Sequence, residues 1–241
     1  MLRLVTRRPK LRTDTHTLPL PAALSVGHRE VDISAHRINV SSRWWQNHLD
    51  SRGLPGGPLP VQRDGAKEFL TRADVWSRAD RLKRDEDVLS LLWHALAWGA
   101  GTRGVRNDER RMDAIAAGRG RAVTLLRQAA LLSHTSPEQA YQMLHPGGKG
   151  AISQLGPAFG TKFLYFAGGG RPEHPCLILD KRVATALAAN GWLTLGAKGG
   201  WYPGTYGEYC TLARRWAGEQ QQVQGAPVAA DQVEKWLFLA S

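Results

Sequence analysis

The chain predicts a mainly α fold with an irregular segment at its N-terminus. Three observations carry this. Apolar residues recur at helical spacing over much of residues 85–190. Strand-like alternation is confined to short stretches such as Val31-Asp32-Ile33. Helix punctuation recurs, with Ser or Asp before apolar runs, Pro just inside them and Gly just after. The 241 residues suffice for a substantial core. The division expected is an arm with a first helix over 1–60, packed on a helical body over 61–241.

In order, residues 1–40 read as a loose arm or short strands, with a Pro-rich patch at 19–21. Ser41-Ser42-Arg43-Trp44-Trp45 opens a short helix with serine as its cap. Residues 54–60, LPGGPLP, form a loop. Arg63 to Arg84 reads as one helix or two, with Phe69, Leu70, Val75 and Trp76 inward. Asp85 opens the strongest helix, where Val88, Leu89, Leu91, Leu92, Leu96 and Trp98 form a buried rod. The loop from Gly99 to Gly104 ends it. Helices follow at about 107–117, 119–132 and 136–144, the last marked by Ser136-Pro137. A break at His145-Pro-Gly-Gly precedes a helix at 149–155, a tight turn at 156–160 and a helix at 161–167, ended by three glycines. Asp180 to Ala189 is another helix. Asp231 to Glu234 has the form of a capping box for a last helix through Leu239.

Composition narrows the function classes. Hydrophobic content of 42% and charged content of 22% are those of a soluble globular chain, and no apolar run is long enough to span a bilayer. The basic start lacks an apolar core, so no secretory signal is read and the cytoplasm is expected. Cys176 and Cys210 are the two cysteines, too few for a disulfide framework or a four-cysteine cluster. His94, His145 and His174 form no ligand set with either of them, so no metal is expected. The net charge of +11 points to a polyanionic partner. Arginine dominates it, with 24 Arg against 8 Lys, which suits forked phosphate contacts.

With lysine scarce, Lys162 stands out in Leu155–Asp180, LGPAFGTKFLYFAGGGRPEHPCLILD. The stretch from Gly156 to Gly160 has little side-chain bulk at its glycines. Backbone N–H groups there, around Gly156, Ala158, Gly160 and Thr161, are placed to grip a phosphate. Lys162 is expected in the first turn of the next helix, where the dipole and partial burial disfavour the charged ammonium. A free amine attacks the anomeric carbon of a deoxyribose and forms a Schiff base. Asp180, closing the apolar run Leu177-Ile178-Leu179, is the carboxylate that could take the proton or stabilise positive charge on the sugar. Each feature has a plainer reading. A Gly-Pro turn is often only a turn, a lysine near a helix start is usually solvated, and an aspartate before a helix is usually its N-cap. The segment is not a P-loop, because the glycine spacing and the order of Thr and Lys are both wrong.

Gly160-Thr161-Lys162, the apolar helix after it, Leu177-Ile178-Leu179-Asp180 and the helix opening Lys181-Arg182-Val183 resemble the helix-hairpin-helix DNA glycosylase superfamily, in particular its 8-oxoguanine branch. The resemblance covers about 149–190, and more weakly Asp85–Arg121. It implies a two-lobed helical fold with the helix-hairpin-helix at about 149–167. It implies Lys162 as nucleophile and Schiff-base lysine, with Asp180 assisting. Double-stranded DNA carrying a modified base would be the partner, with the protein as a monomer. A monovalent cation held by hairpin carbonyls is also implied. The chain departs from the usual hairpin in that Pro and Gly are swapped and one residue is added, in Leu155-Gly-Pro-Ala-Phe-Gly160.

A flipped base must be held by stacking and edge hydrogen bonds. Trp45, Trp201, Tyr202 and Phe166 are the pocket candidates, each with a core or turn-packing role as its plainer reading. Arg103, Arg106 and Asn107 are candidates for wedge and phosphate contacts, and Arg119 and Arg121 for the DNA backbone. The reading is a DNA glycosylase that excises a modified base, with lyase activity through the Schiff base. Three rivals stay open. One is a defence glycosylase that removes hypermodified phage bases. Another is a non-catalytic helix-hairpin-helix DNA-binding protein. The third is a helix-turn-helix regulator.

Overall fold

The computed structural model describes residues 14–57, 59, 61–102, 105–197 and 199–241, and it is mainly helical. Residues 1–13 of the arm and Arg103 lie outside the described residues, as does the side chain of Arg106. Val31-Asp32-Ile33 lies in a single π-helical turn, Glu30–Ser34, and not in a strand. Ile33 is fully buried there while Val31 is exposed.

Strand β1, Arg37–Val40, leads to helix α1, Ser42–Asp50, with Ser41 accepting from Trp44 N as the N-cap. The helix expected from Arg63 is replaced by a hairpin of β2, Gln62–Asp64, and β3, Lys67–Thr71. Asp64 pairs with Lys67 across a two-residue loop, and Gly65 has φ +59°, the left-handed conformation such loops need. The antiparallel sheet has the order β1-β3-β2, with Ile38 opposite Leu70. Thr71 then opens α2, Arg72–Trp76, through a capping box with Asp74.

Helix α3, Asp85–Ala100, is the rod the sequence predicts. From Val88 to Trp98 every residue but the half-buried Ser90 is buried, as expected for a helix that is apolar nearly all round. Helices α4, Val105–Ala117, α5, Arg119–Ser133, and α6, Pro137–Leu144, follow close to their expected bounds. Residues 149–155 are not helical. They form bends and turns, and Gln154 has φ +64°. Helix α7, Pro157–Phe166, instead starts four residues before its expected start, because Pro157 sits at its first position with Gly156 as N-cap. Helix α8, Lys181–Ala189, is capped by Asp180.

The longest helix, α9, Pro203–Gln224, was not expected. Its start reads as an aromatic, Gly-rich loop, yet Tyr206, Tyr209, Cys210, Ala213, Trp216, Ala217 and Gln220 hold one buried face. Gly225, at φ +69°, ends it in the left-handed conformation. The last helix, α10, Ala230–Leu239, is capped two residues earlier than expected, at Ala229 and not Asp231, with Gln232 closing the cap onto Ala229 N. Helices α3 and α7 pack together at the centre, and α10 lies against α8 and α9. One hydrophobic cluster runs from Leu18 to Leu237.

Candidate active site

The site is assembled by two chain segments laid side by side. Residues 175–180 run extended and buried but belong to no sheet, so their backbone groups need other partners. Side-chain hydroxyls supply them. Tyr206 accepts from Leu177 N and donates to Leu177 O, Tyr209 donates to Ile178 O, and Thr161 accepts from Leu179 N and donates to Leu179 O. Thr161 on α7 thus grips residue 179, and its neighbour Lys162 reaches residue 180. Lys162 Nζ stands 3.4 Å from Asp180 Oδ2.

Asp180 serves two partners at once. Its Oδ1 accepts from Arg182 N and Val183 N at the start of α8, which leaves Oδ2 for the lysine. Lys162 is the sixth residue of α7, not part of its first turn, so it lies beyond the reach of the helix N-terminal dipole. It is only 7% exposed. The aliphatic part of its side chain lies against Gly99 of α3. A Cβ at Gly99 would fall 2.7 Å from Lys162 Cδ and 2.9 Å from Phe159 Cε1. Gly99→Ala is therefore expected to shift the amine while adding helix propensity of about 1 kcal/mol. Melting temperature should hold or rise, and the rate of any Lys162 chemistry should fall about a hundredfold, the size expected for a 1 Å misplacement. A single-turnover assay beside a thermal melt checks this.

Beside the pair is a cavity of about 80 Å³ lined by His36, Ile38, Arg72, Trp98, Gly99, Lys162, Ile178, Asp180, Glu234 and Phe238. Larger open clefts of about 570 and 410 Å³ lie elsewhere and include neither Lys162 nor Asp180. Arg72 and Glu234 form a buried ion pair at 2.9 Å, with Arg72 against the rings of Trp98 and Tyr165. Burial raises the Glu234 pKa despite the opposing guanidinium. Tyr165 hydroxyl accepts from Arg72 and donates to Asp231, which Arg29 holds through two nitrogens. Burial, then the charges of Lys235 and Arg72, lower the His36 pKa to about 3, so its imidazole is neutral.

The residues proposed from the sequence separate into groups. Lys162 and Asp180 are brought together. Gly156 is the N-cap of α7, and Pro157 has no N–H. The Phe159 and Gly160 amides turn back to Gly156 O, which leaves Ala158 N–H without a partner among the described residues. Thr161 is fully buried in its clasp on Leu179, and a Cβ at Gly160 would strike His145 at 2.2 Å. Asn107, Arg119 and Arg121 are exposed, and no acidic residue stands in the first turn of α5. The four proposed pocket aromatics do not line the cavity. Trp45 is buried in α1, Phe166 packs edge-on behind Trp98 at 5.2 Å, and Trp201 is buried with its indole on Gly196 O. Tyr202 is exposed. Trp98, read from the sequence as core alone, lines the cavity. His36, Arg72, Glu234 and Phe238 carry no local signal of a shared site in the sequence, because three distant segments, with Glu234 and Phe238 both on α10, bring them here.

A hairpin cation does not fit this turn. The Ile152, Gln154 and Gly156 carbonyls already accept N–H groups, and Arg111 places its own positive charge on Gln154 O. Among the described residues no cluster of acidic, His or Cys side chains forms a metal site, and no helix is long and apolar enough to cross a membrane.

The helical body thus sets a lysine against an aspartate beside a small, partly open cavity. Residues 31–238 match the family described as "Putative 8-oxoguanine DNA glycosylase OGG-like protein". The chain belongs to this OGG-like family, which makes DNA its substrate class and base removal the activity the family implies. Comparison with curated proteins and with solved structures gave no match.

Proposed function

We propose that the protein is a DNA glycosylase that flips out a modified base and removes it with Lys162, and that it also cuts the strand as a lyase. The observation that carries this is the Lys162–Asp180 pair, 3.4 Å apart at the edge of the cavity. The Lys162 amine attacks C1′ as the glycosidic C–N bond breaks. The bond's electron pair leaves with the base, which takes up a proton. Asp180 either takes the proton the ammonium must lose or stays ionised and stabilises the positive charge that grows on the sugar. Opening of the sugar ring gives a Schiff base, from which loss of the C2′ proton and the 3′ phosphate cuts the strand.

Supporting contacts follow from the same geometry. Phe238 and Trp98 line the cavity that would receive a base, and the Ala158 amide at the start of α7 can hold a phosphate. Asn107, Arg119 and Arg121, with Arg103 and Arg106, supply further backbone contacts. Borohydride reduction of the imine on a duplex with an abasic site is the test. A covalent protein–DNA adduct is expected with the wild type, and none with Lys162→Gln. A wild type that is never trapped, and that leaves every modified base in place on a duplex it binds, identifies a non-catalytic DNA-binding protein. Repair and defence roles share this chemistry, and duplexes carrying 8-oxoguanine or hypermodified phage bases separate them by which one is cleaved.

A further inference from the structure

His36 lies at the edge of β1 and lines the cavity, and it is held from three directions. Its carbonyl accepts from Arg72 N at 3.1 Å and from the Trp98 indole at 3.2 Å. Its ring meets the Trp98 ring edge-on at 5.2 Å. Its Nδ1 lies 3.1 Å from Lys235 Nζ on α10. An ammonium has three donors and no acceptor, so Nδ1 must accept. The imidazole is neutral, and with Nδ1 accepting, its one proton is on Nε2. Among the described residues no group takes that Nε2–H.

We infer that His36, fixed in its Nε2–H tautomer by Lys235, is a specificity-determining donor that reads an acceptor on the edge of the flipped base. This rests on the glycosylase reading above. The base it selects presents a carbonyl oxygen or an unprotonated ring nitrogen at the place His36 reaches, and a base that presents an N–H there is refused. A fixed donor discriminates better than a free one, because a base without the acceptor leaves the donor buried and unpaired. Lys235 acts only through His36 and is a positioning residue. Its ammonium sets which nitrogen carries the proton.

Two measurements on the full chain test this. Nitrogen-15 NMR of labelled histidine reads the tautomer without any DNA. His36 is expected as Nε2–H in the wild type and in Lys235→Gln, whose amide can still donate, and as a tautomer mixture in Lys235→Met. Single-turnover excision is then followed on duplexes with 8-oxoguanine, hypoxanthine, 3-methyladenine and uracil, all of which offer an acceptor edge. His36→Phe and Lys235→Met should slow excision of the preferred base about ten- to a hundredfold. Lys235→Gln should restore most of it. Thermal melts show that all three variants fold, and trapping on a preformed abasic site, which needs Lys162 but no base, should stay within about twofold of wild type in Lys235→Met and Lys235→Gln. An Nδ1–H tautomer in the wild type overturns the inference. So does unchanged excision by His36→Phe, or inactivity of the wild type on all four bases with trapping intact. Absence of both trapping and excision in the wild type overturns the glycosylase reading itself.

Discussion

Replacing Arg72 with Met is expected to destabilise the protein by about 3–5 kcal/mol, the range for removing one partner of a buried ion pair. Arg72 and Glu234 are 2% and 1% exposed, so the Glu234 carboxylate cannot turn to water when the guanidinium goes. Its pKa is already raised by burial, and it would rise further or force the last helix away. The damage would spread, because Arg72 stands where β3 turns into α2 while Glu234 belongs to α10, and Tyr165 joins both to α7. For a chain of this size the loss lowers the melting temperature by about 6–20 °C. The double variant Arg72→Met, Glu234→Leu removes both charges and should recover most of the loss, since a well-packed apolar pair often equals a buried ion pair. Circular dichroism melts of the single and double variants decide it. A single variant that melts within about 2 °C of wild type sinks the account.

Such a pair shows where the sequence stops being legible. The rod of α3 is visible because every turn repeats the same apolar periodicity, and Ser41, Ser136 and Asp180 are visible as caps because capping is decided within three residues. The reactive pair is legible too, for a local reason. Thr161 and Lys162 are neighbours on one helix, Leu179 and Asp180 are neighbours in the segment leading into α8, and each of the first two meets its partner 18 residues on. The β2–β3 hairpin was missed although Gly65 marks its loop, because the three-residue strand β2, Gln-Arg-Asp, is exposed throughout and shows no alternation. Helix α9 was missed because its first turns carry glycine and tyrosine, and only the tertiary packing of Tyr206 and Tyr209 on residues 177 and 178 shows why. The cavity wall is long-range altogether. His36 and Lys235 are 199 residues apart, and Arg72 and Glu234 are 162 apart, so no window of sequence contains either pair.

Asp180→Asn separates the two duties of the residue that both plain and catalytic readings claimed. In the wild type each carboxylate oxygen has its own task, Oδ1 on the α8 amides and Oδ2 on the lysine. Asparagine has one oxygen. It caps helices about as well as aspartate, so with that oxygen on Arg182 N and Val183 N the helix stays and the melting temperature should move little. The NH₂ group then faces Lys162 Nζ, donor against donor, with no negative charge to draw off a proton or balance the sugar cation. Single-turnover excision should fall by about 10²–10⁴, the usual worth of a positioned acid or base. Asp180→Ala should lose as much activity and, in addition, about 0.5–2 kcal/mol of stability for the missing cap. If Asp180→Asn excises within threefold of wild type, the carboxylate is only a helix cap, and the chemistry rests on Lys162 with another base.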